Sequence, residues 1–229
     1  MAFSQWSAIF ISLKVAFLCM GLIAGPGIFL AWLLARREFR GKALLDALIH
    51  APLVLPPVVT GYLLLVVFGK RGWIGAWLDD WLGLSLAFNL TGAVIAAAVM
   101  SFPLLVRSVR LAIELVDPHL EIAAATLGAA PLRIFLTITL PLASPGLITG
   151  LTLAFARSLG EFGATMTFAG NIEGETRTIP LAVFSFMQVP GKEQDVMILA
   201  ILAIALSVGA LLVSEWWARR MKLRLRGQL

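Results

Sequence analysis

Residues 107–133 read RSVRLAIELVDPHLEIAAATLGAAPLR and lead into IFLTITLP over 134–141. They separate two runs, 81–106 and 134–156, that contain no Asp, Glu, Lys or Arg. Each run meets the roughly 20 residues that carry a helix across a hydrocarbon core. The interval between them is therefore a loop on one side of a membrane, and its residues are ordered like a folded element. Asp117 before Pro118 reads as an N-cap with proline at the first helical position. Ala123, Ala124 and Ala125 favour helix, and Gly128 is placed to end it in the left-handed conformation. The pattern predicts a compact helix of about ten residues. Ala130 and Pro131 start a second helix that runs through Arg133 to Leu140, Pro141 and the next apolar run.

Outward from this loop the same alternation continues. Further charge-free runs cover residues 15–35, 47–69 and 196–214, which makes five spans. A sixth run, 178–191, is shorter and holds Pro180, Gln188, Pro190 and Gly191, so it reads as a re-entrant or interfacial segment. The composition agrees. Of 229 residues 60% are hydrophobic and 14% charged, against roughly 25% charged in a soluble domain, and the mean hydropathy is +0.94. These values exclude a water-soluble fold, a disordered chain, collagen and a disulfide scaffold; Cys19 is the only cysteine. No cationic start or small-residue cleavage site precedes the first run, so it reads as a retained span. The fold class is an all-α polytopic membrane protein forming a single transmembrane domain over residues 1–229.

Lys and Arg near span ends stay on the cytoplasmic side. With the N-terminus outside, the inner segments collect Arg36, Arg37, Arg40, Lys42, Arg107, Arg110, Arg133, Arg219, Arg220, Lys222, Arg224 and Arg226, whereas the outer ones hold Lys70, Arg71, Arg177 and Lys192. Twelve against four sets the C-terminus inside and accounts for the net charge of +5 without nucleic acid. All seven tryptophans, such as Trp73, Trp77 and Trp81, lie near a span end or in a loop beside one, as interfacial aromatics do. Membrane lipid is thus the first partner.

The helix predicted after Asp117 is short and surfaced by alanine, which suits a groove on another protein; a connector packed on its own bundle is the other reading. Glu121 to Thr126, then Leu127, Gly128, Ile138, Leu140 and Pro141 resemble the EAA loop of ABC-importer permeases. The glutamate stands one residue ahead of its usual place, which Ile122 occupies. FRGKAL over 39–44, LVLPPVV over 53–59, AFARSLGEFGAT over 154–165 and GETRTIP over 174–180 are similar to molybdate permeases, and AFARSLGEFG also to sulfate permeases. The resemblance implies a type I ABC-importer permease fold with its coupling loop at about 107–141. It implies one half of a homodimer in a bacterial inner membrane, carrying molybdate, tungstate or, as the alternative, sulfate. It also implies a cytoplasmic ABC ATPase dimer and an external oxyanion-binding protein as partners. Glu121, Ala123, Ala124, Thr126, Leu127, Gly128, Ala129, Pro131 and Arg133 are the expected ATPase-coupling residues.

No GxxxxGK[ST], GxSxG or HExxH occurs, and His50 and His119 stand without metal-ligand neighbours, so the chain reads as a non-enzymatic subunit without cofactor or metal. An ion-coupled carrier should show an inverted repeat, and a polytopic membrane enzyme a cluster of catalytic groups; neither pattern is present. Arg157 and Glu161 fall at i and i+4 on the fourth span, just past its charge-free run, a spacing that puts both on one helical face. They are read either as part of the ion route or as an ion pair that fixes packing. On the first reading Ser158, Gly160 and Gly163 offer a hydroxyl and room, and Phe162 closes a gate. Gly21 with Gly25 and Gly146 with Gly150 are small-residue pairs expected at close helix contacts, and the prolines at 52, 56 and 57 predict a kink in the second span.

Overall fold

The computed structural model describes residues 2–226, so the expected domain of 1–229 extends past the described residues at both ends. Among the described residues the chain is helical, without strands. The long helices are α1 (Ala2–Arg36), α5 (Leu90–Glu114), α8 (Leu140–Leu159) and α11 (Glu193–Arg226). Between them lie α2 (Lys42–Val54), α3 (Pro57–Phe68), α4 (Trp73–Leu82), α6 (Pro118–Thr126), α7 (Pro131–Ile134), α9 (Gly163–Phe168) and α10 (Ile179–Met187). A π-helical segment, Phe135–Thr139, joins α7 to α8, so Pro131–Leu159 forms one membrane-length rod of 29 residues.

Four of the five expected spans are single helices long and apolar enough to cross a bilayer. The second is broken: α2 and α3 meet at a bend of 119°. Its cause is local. Leu55 is extended (ψ 141°) before Pro56, as the residue before a proline tends to be, and Pro57 opens α3 at a position where its missing N–H costs nothing. The pair still runs from one end of the bundle to the other. Asp46 on α2 pairs with Arg110 near the end of α5 at 3.1 Å, whereas Leu65 on α3 and Gly69 just after it line one hollow with Ala87 and Asn89, just before α5 begins. The shorter sixth run becomes α10, only nine residues long, well below the length of a span.

Helix α5 is the centre of the fold. Its most apolar stretch is 67% buried, against 6% for α11. Asn89 caps it, accepting the Gly92 N–H at 2.9 Å, and Ala93, Ala96 and Ala97 allow neighbours to approach. Helix α8 uses that room: a Cβ on Gly146 would lie 2.2 Å from the Ala112 Cβ, and Ser108 Oγ donates to the Gly146 carbonyl at 2.9 Å. Gly150 meets Ser108 and Leu105 in the same way. The other expected pair is corrected by the structure, since Gly21 and Gly25 have nothing within 4 Å of a built Cβ and leave a shallow surface on α1. Large apolar side chains such as Phe17, Leu22, Ile204 and Leu212 stay exposed, which only lipid or a second protein makes affordable.

Candidate coupling surface and translocation site

The loop helix forms as its residues dictate. The Asp117 carboxylate accepts the His119 N–H at 2.9 Å, Pro118 occupies the first turn, and α6 runs for nine residues. Hydrogen bonding from the His119 backbone, then from its ring, holds the Asp117 carboxyl below its ordinary value. At the far end Gly128 takes φ +83°, its N–H donates to Ala125, and the Ala129 N–H donates to Ala124 at 3.1 Å. This paired arrangement satisfies the last carbonyls of the helix and requires a residue tolerant of positive φ.

No residue of α6 is buried, and exposure is one-sided. Glu121 and Ala124 are half-buried and turn to the body, whereas Ile122, Ala123, Ala125, Thr126 and Leu127 are exposed; Leu127 reaches 89%. Leu120, Pro131, Leu132 and Arg133 extend the exposed patch and Ala129 is half-buried. These alanine and leucine side chains form an exposed apolar patch, a kind of surface that marks interaction sites.

Glu121 does not point into that patch. Its Oε1 accepts from Arg36 Nη2 at 3.0 Å, from Arg36 Nε at 3.2 Å and from Thr139 Oγ1 at 2.7 Å. Arg36 Nη2 also donates to the Val116 carbonyl at 2.9 Å. One carboxylate therefore ties together the end of α1, the segment after α5, the loop helix and the π-helical entry to α8. π-Helical turns are uncommon and recur at functional positions.

At the far end of α8, Arg157 Nη1 lies 2.6 Å from Glu161 Oε2. Glu161 is 2% exposed, and its Oε1 accepts the Ala164 N–H at 2.9 Å, so it holds both Arg157 and the start of α9. Ser158 is buried, with its hydroxyl donated to the Phe155 carbonyl at 2.8 Å. Gly163 is also buried, because a Cβ there would meet Pro57 of α3 at 2.9 Å. Arg157 and Phe162 are half-buried and Gly160 is exposed. The Phe162 ring stands 5.2 Å from that of Phe184 on α10.

A family model described as a binding-protein-dependent transport system inner membrane component matches residues 27–227. The chain belongs to the binding-protein-dependent transport permeases. Within the group, this permease is 60% identical over 215 residues to the molybdenum transport system permease protein ModB of Escherichia coli K12, covering 94% of each chain. It is 56% identical over 219 residues to the ModB protein of Haemophilus influenzae, covering 96% of each. To the sulfate transport system permease protein CysW of Synechocystis it is 37% identical over 177 residues, 77% of this chain and 64% of that one. Its fold matches the MetNI methionine ABC transporter in inward-facing form, with a TM-score of 0.67 at 16% identity over 96% of this chain and 95% of that one. It also matches a bacterial alginate ABC transporter bound to its periplasmic protein, at 0.72 and 17% over 94% and 78%.

Three residues of the permease escaped sequence reasoning. Arg36 sits in a basic cluster that reads only as a topology signal, and Thr139 sits in an apolar run; nothing in the spacing joins either to Glu121. The ring partner of Phe162 was hidden too, because Phe184 belongs to the segment after GETRTIP.

Proposed function

We propose that this permease is the membrane-spanning subunit of an ATP-driven importer for molybdate, with tungstate the related cargo. The 60% identity to the Escherichia coli molybdenum permease across 94% of both chains carries the reading; the weaker likeness to a sulfate permease makes sulfate the alternative. Two copies stand side by side in the inner membrane of a bacterium, N-termini outside, with a separate ATPase dimer on the cytoplasmic side and an oxyanion-binding protein outside. ATP hydrolysis belongs to the partner.

The ATPase holds the exposed side of α6, centred on Ala123, Thr126, Leu127 and Gly128 and flanked by Ala129, Pro131 and Arg133. When it closes, the Glu121–Arg36–Thr139 junction passes the displacement to α1 and through the π-helical turn to α8. Helix α8 carries the second site at its other end. There Arg157 and Phe162 border the route between the two copies, while Ser158, Glu161 and Gly163 hold them in place. Pairing with Glu161 cancels most of the Arg157 charge toward a dianion, which suits a route that must release its ion.

The test is copurification of the permease with its candidate ATPase, followed by hydrolysis assays with the binding protein loaded with molybdate, tungstate or sulfate. Stimulation by the molybdate-loaded form is expected. Stimulation by the sulfate-loaded form alone transfers the assignment to sulfate, and failure to bind any ABC ATPase overturns it.

A further inference from the structure

Helix α4 has the sequence WIGAWLDDWL, and Gly75 is its only buried residue. A Cβ there would lie 2.0 Å from the Gly69 carbonyl oxygen and 2.4 Å from that of Phe68, so α4 rests directly on the backbone at the end of α3. That contact fixes which side turns away. Trp73, Trp77 and Trp81, spaced i, i+4 and i+8, form one stripe with Ile74 beside it; the three indoles are 87%, 56% and 76% exposed. The flanking elements set its depth. Helix α3 ends at Phe68 and α5 begins at Leu90, both membrane segments, so α4 lies where they leave the hydrocarbon. Tryptophan concentrates at that level, and an amphipathic helix held there lies in the plane of the interface.

Beside the start of α4 is a hollow of about 780 Å³ lined by Lys70, Arg71, Trp73, Ser85, Phe88 and Asn89, among others. Lys70 and Arg71 are exposed, and among the described residues no carboxylate pairs with either. We propose that α4 is an interfacial anchor and that this hollow holds the phosphodiester headgroup of an anionic phospholipid, whose chains lie along the tryptophan stripe. Charge complementarity supplies the headgroup. The indoles place the hollow at headgroup level, where the phosphodiester of a phospholipid is the abundant anion. The proposal rests on the membrane segments and not on which ion is carried.

The test uses the full chain in nanodiscs and reads tryptophan quenching by brominated phosphatidylglycerol or brominated phosphatidylcholine. Two cations at a lipid surface give a preference on the order of tenfold for the anionic headgroup, so phosphatidylglycerol should quench at the lower mole fraction. Lys70→Gln with Arg71→Gln should remove that preference while leaving quenching by phosphatidylcholine intact, which also reports that the variant is folded. Trp73→Phe, Trp77→Phe and Trp81→Phe together, three of the seven tryptophans, should lose roughly that share of the quenched emission. Equal quenching by the two lipids in the unaltered chain overturns the headgroup site. Loss of the preference on adding millimolar molybdate or phosphate assigns the hollow to a free oxyanion and overturns it as well. If aqueous iodide rather than lipid quenches the three indoles, α4 stands in water as a docking surface for a protein, and the anchor is refuted.

Discussion

Arg36 closes α1 with its guanidinium 3.0 Å from the carboxylate of Glu121, 85 residues further along the chain. Both side chains are largely shielded, at 14% and 20% exposed, and the same carboxylate oxygen holds Thr139. A loop helix with no buried residue of its own is thus fastened to the bundle through one acid. Removing one member of such a pair leaves its partner unsatisfied at a cost of about 1–3 kcal/mol. Arg36→Ala and Glu121→Ala are expected to lower molybdate uptake while the chain still reaches the membrane and still copurifies with the ATPase. The ATPase is then expected to run without regard to the loaded binding protein. Assays of uptake and stimulated hydrolysis on the same preparations check this, and loss of copurification would place Glu121 in the ATPase contact itself.

The exposed side of α6 behaves differently. Leu127→Asp and Ala123→Asp put a charge into the proposed contact without touching the body of the protein, so both should abolish copurification with the ATPase and leave thermal stability within about 0.5 kcal/mol. Ala124→Asp, although also in the alanine run, faces the bundle and should destabilise the loop as well. Pull-down and thermal melting of the three variants separate the two effects.

Arg157 and Glu161 are expected to be unequal partners. Arg157→Gln strands a carboxylate that is 2% exposed, a change of roughly 3 kcal/mol. Glu161→Gln keeps an oxygen for the Ala164 N–H and should cost less. Abundance and uptake are to be measured for both single variants and the double one. Stability restored in the double variant without uptake supports a part for Arg157 in the route, whereas recovery of both leaves a packing ion pair.

The legible part of this molecule was the part written in local chemistry. The Asp117–Pro118 start, the Gly128 stop and the pairing of Arg157 with Glu161 each depend on neighbours within a turn or two, and each is found in the structure, although α8 ends at Leu159, so Glu161 pairs from just beyond the helix and not from a shared helical face. The five apolar runs were legible for the same reason. Where the outcome depended on partners far along the chain, the sequence was silent: Gly146 and Gly21 sit in similar surroundings, yet one meets Ala112 and the other meets open space. The inward turn of Glu121 belongs to this second kind, as does the π-helical turn, which has no turn residue to announce it.

Glycine substitutions make that contrast measurable. Gly146→Ala forces α5 and α8 apart and should destabilise the permease by about 1–3 kcal/mol. Gly21→Ala fills empty space and should be neutral or slightly stabilising. Thermal unfolding of the purified chain in one detergent compares them directly.

The N-cap of α6 predicts a dependence on acidity. Since the Asp117 carboxyl is held below its ordinary value, the stabilisation it gives is fully present above the ordinary carboxylate range and is lost as the pH falls through the lowered value. Hydrogen exchange over residues 119–128 should therefore quicken in acid. Asp117→Asn should keep the cap and flatten the response, while Asp117→Ala should quicken exchange above the carboxylate range and change little in acid, where the native cap is already lost.

The proposed coupling, in which a separate ATPase drives molybdate through the permease by way of α6, is open to direct measurement. The direct measurement is accumulation of labelled molybdate in proteoliposomes holding the permease and its ATPase, with ATP inside and loaded binding protein outside. Uptake that requires ATP and disappears with Leu127→Asp is the predicted result; uptake of sulfate but not molybdate, or molybdate uptake that persists without the ATPase, would contradict it.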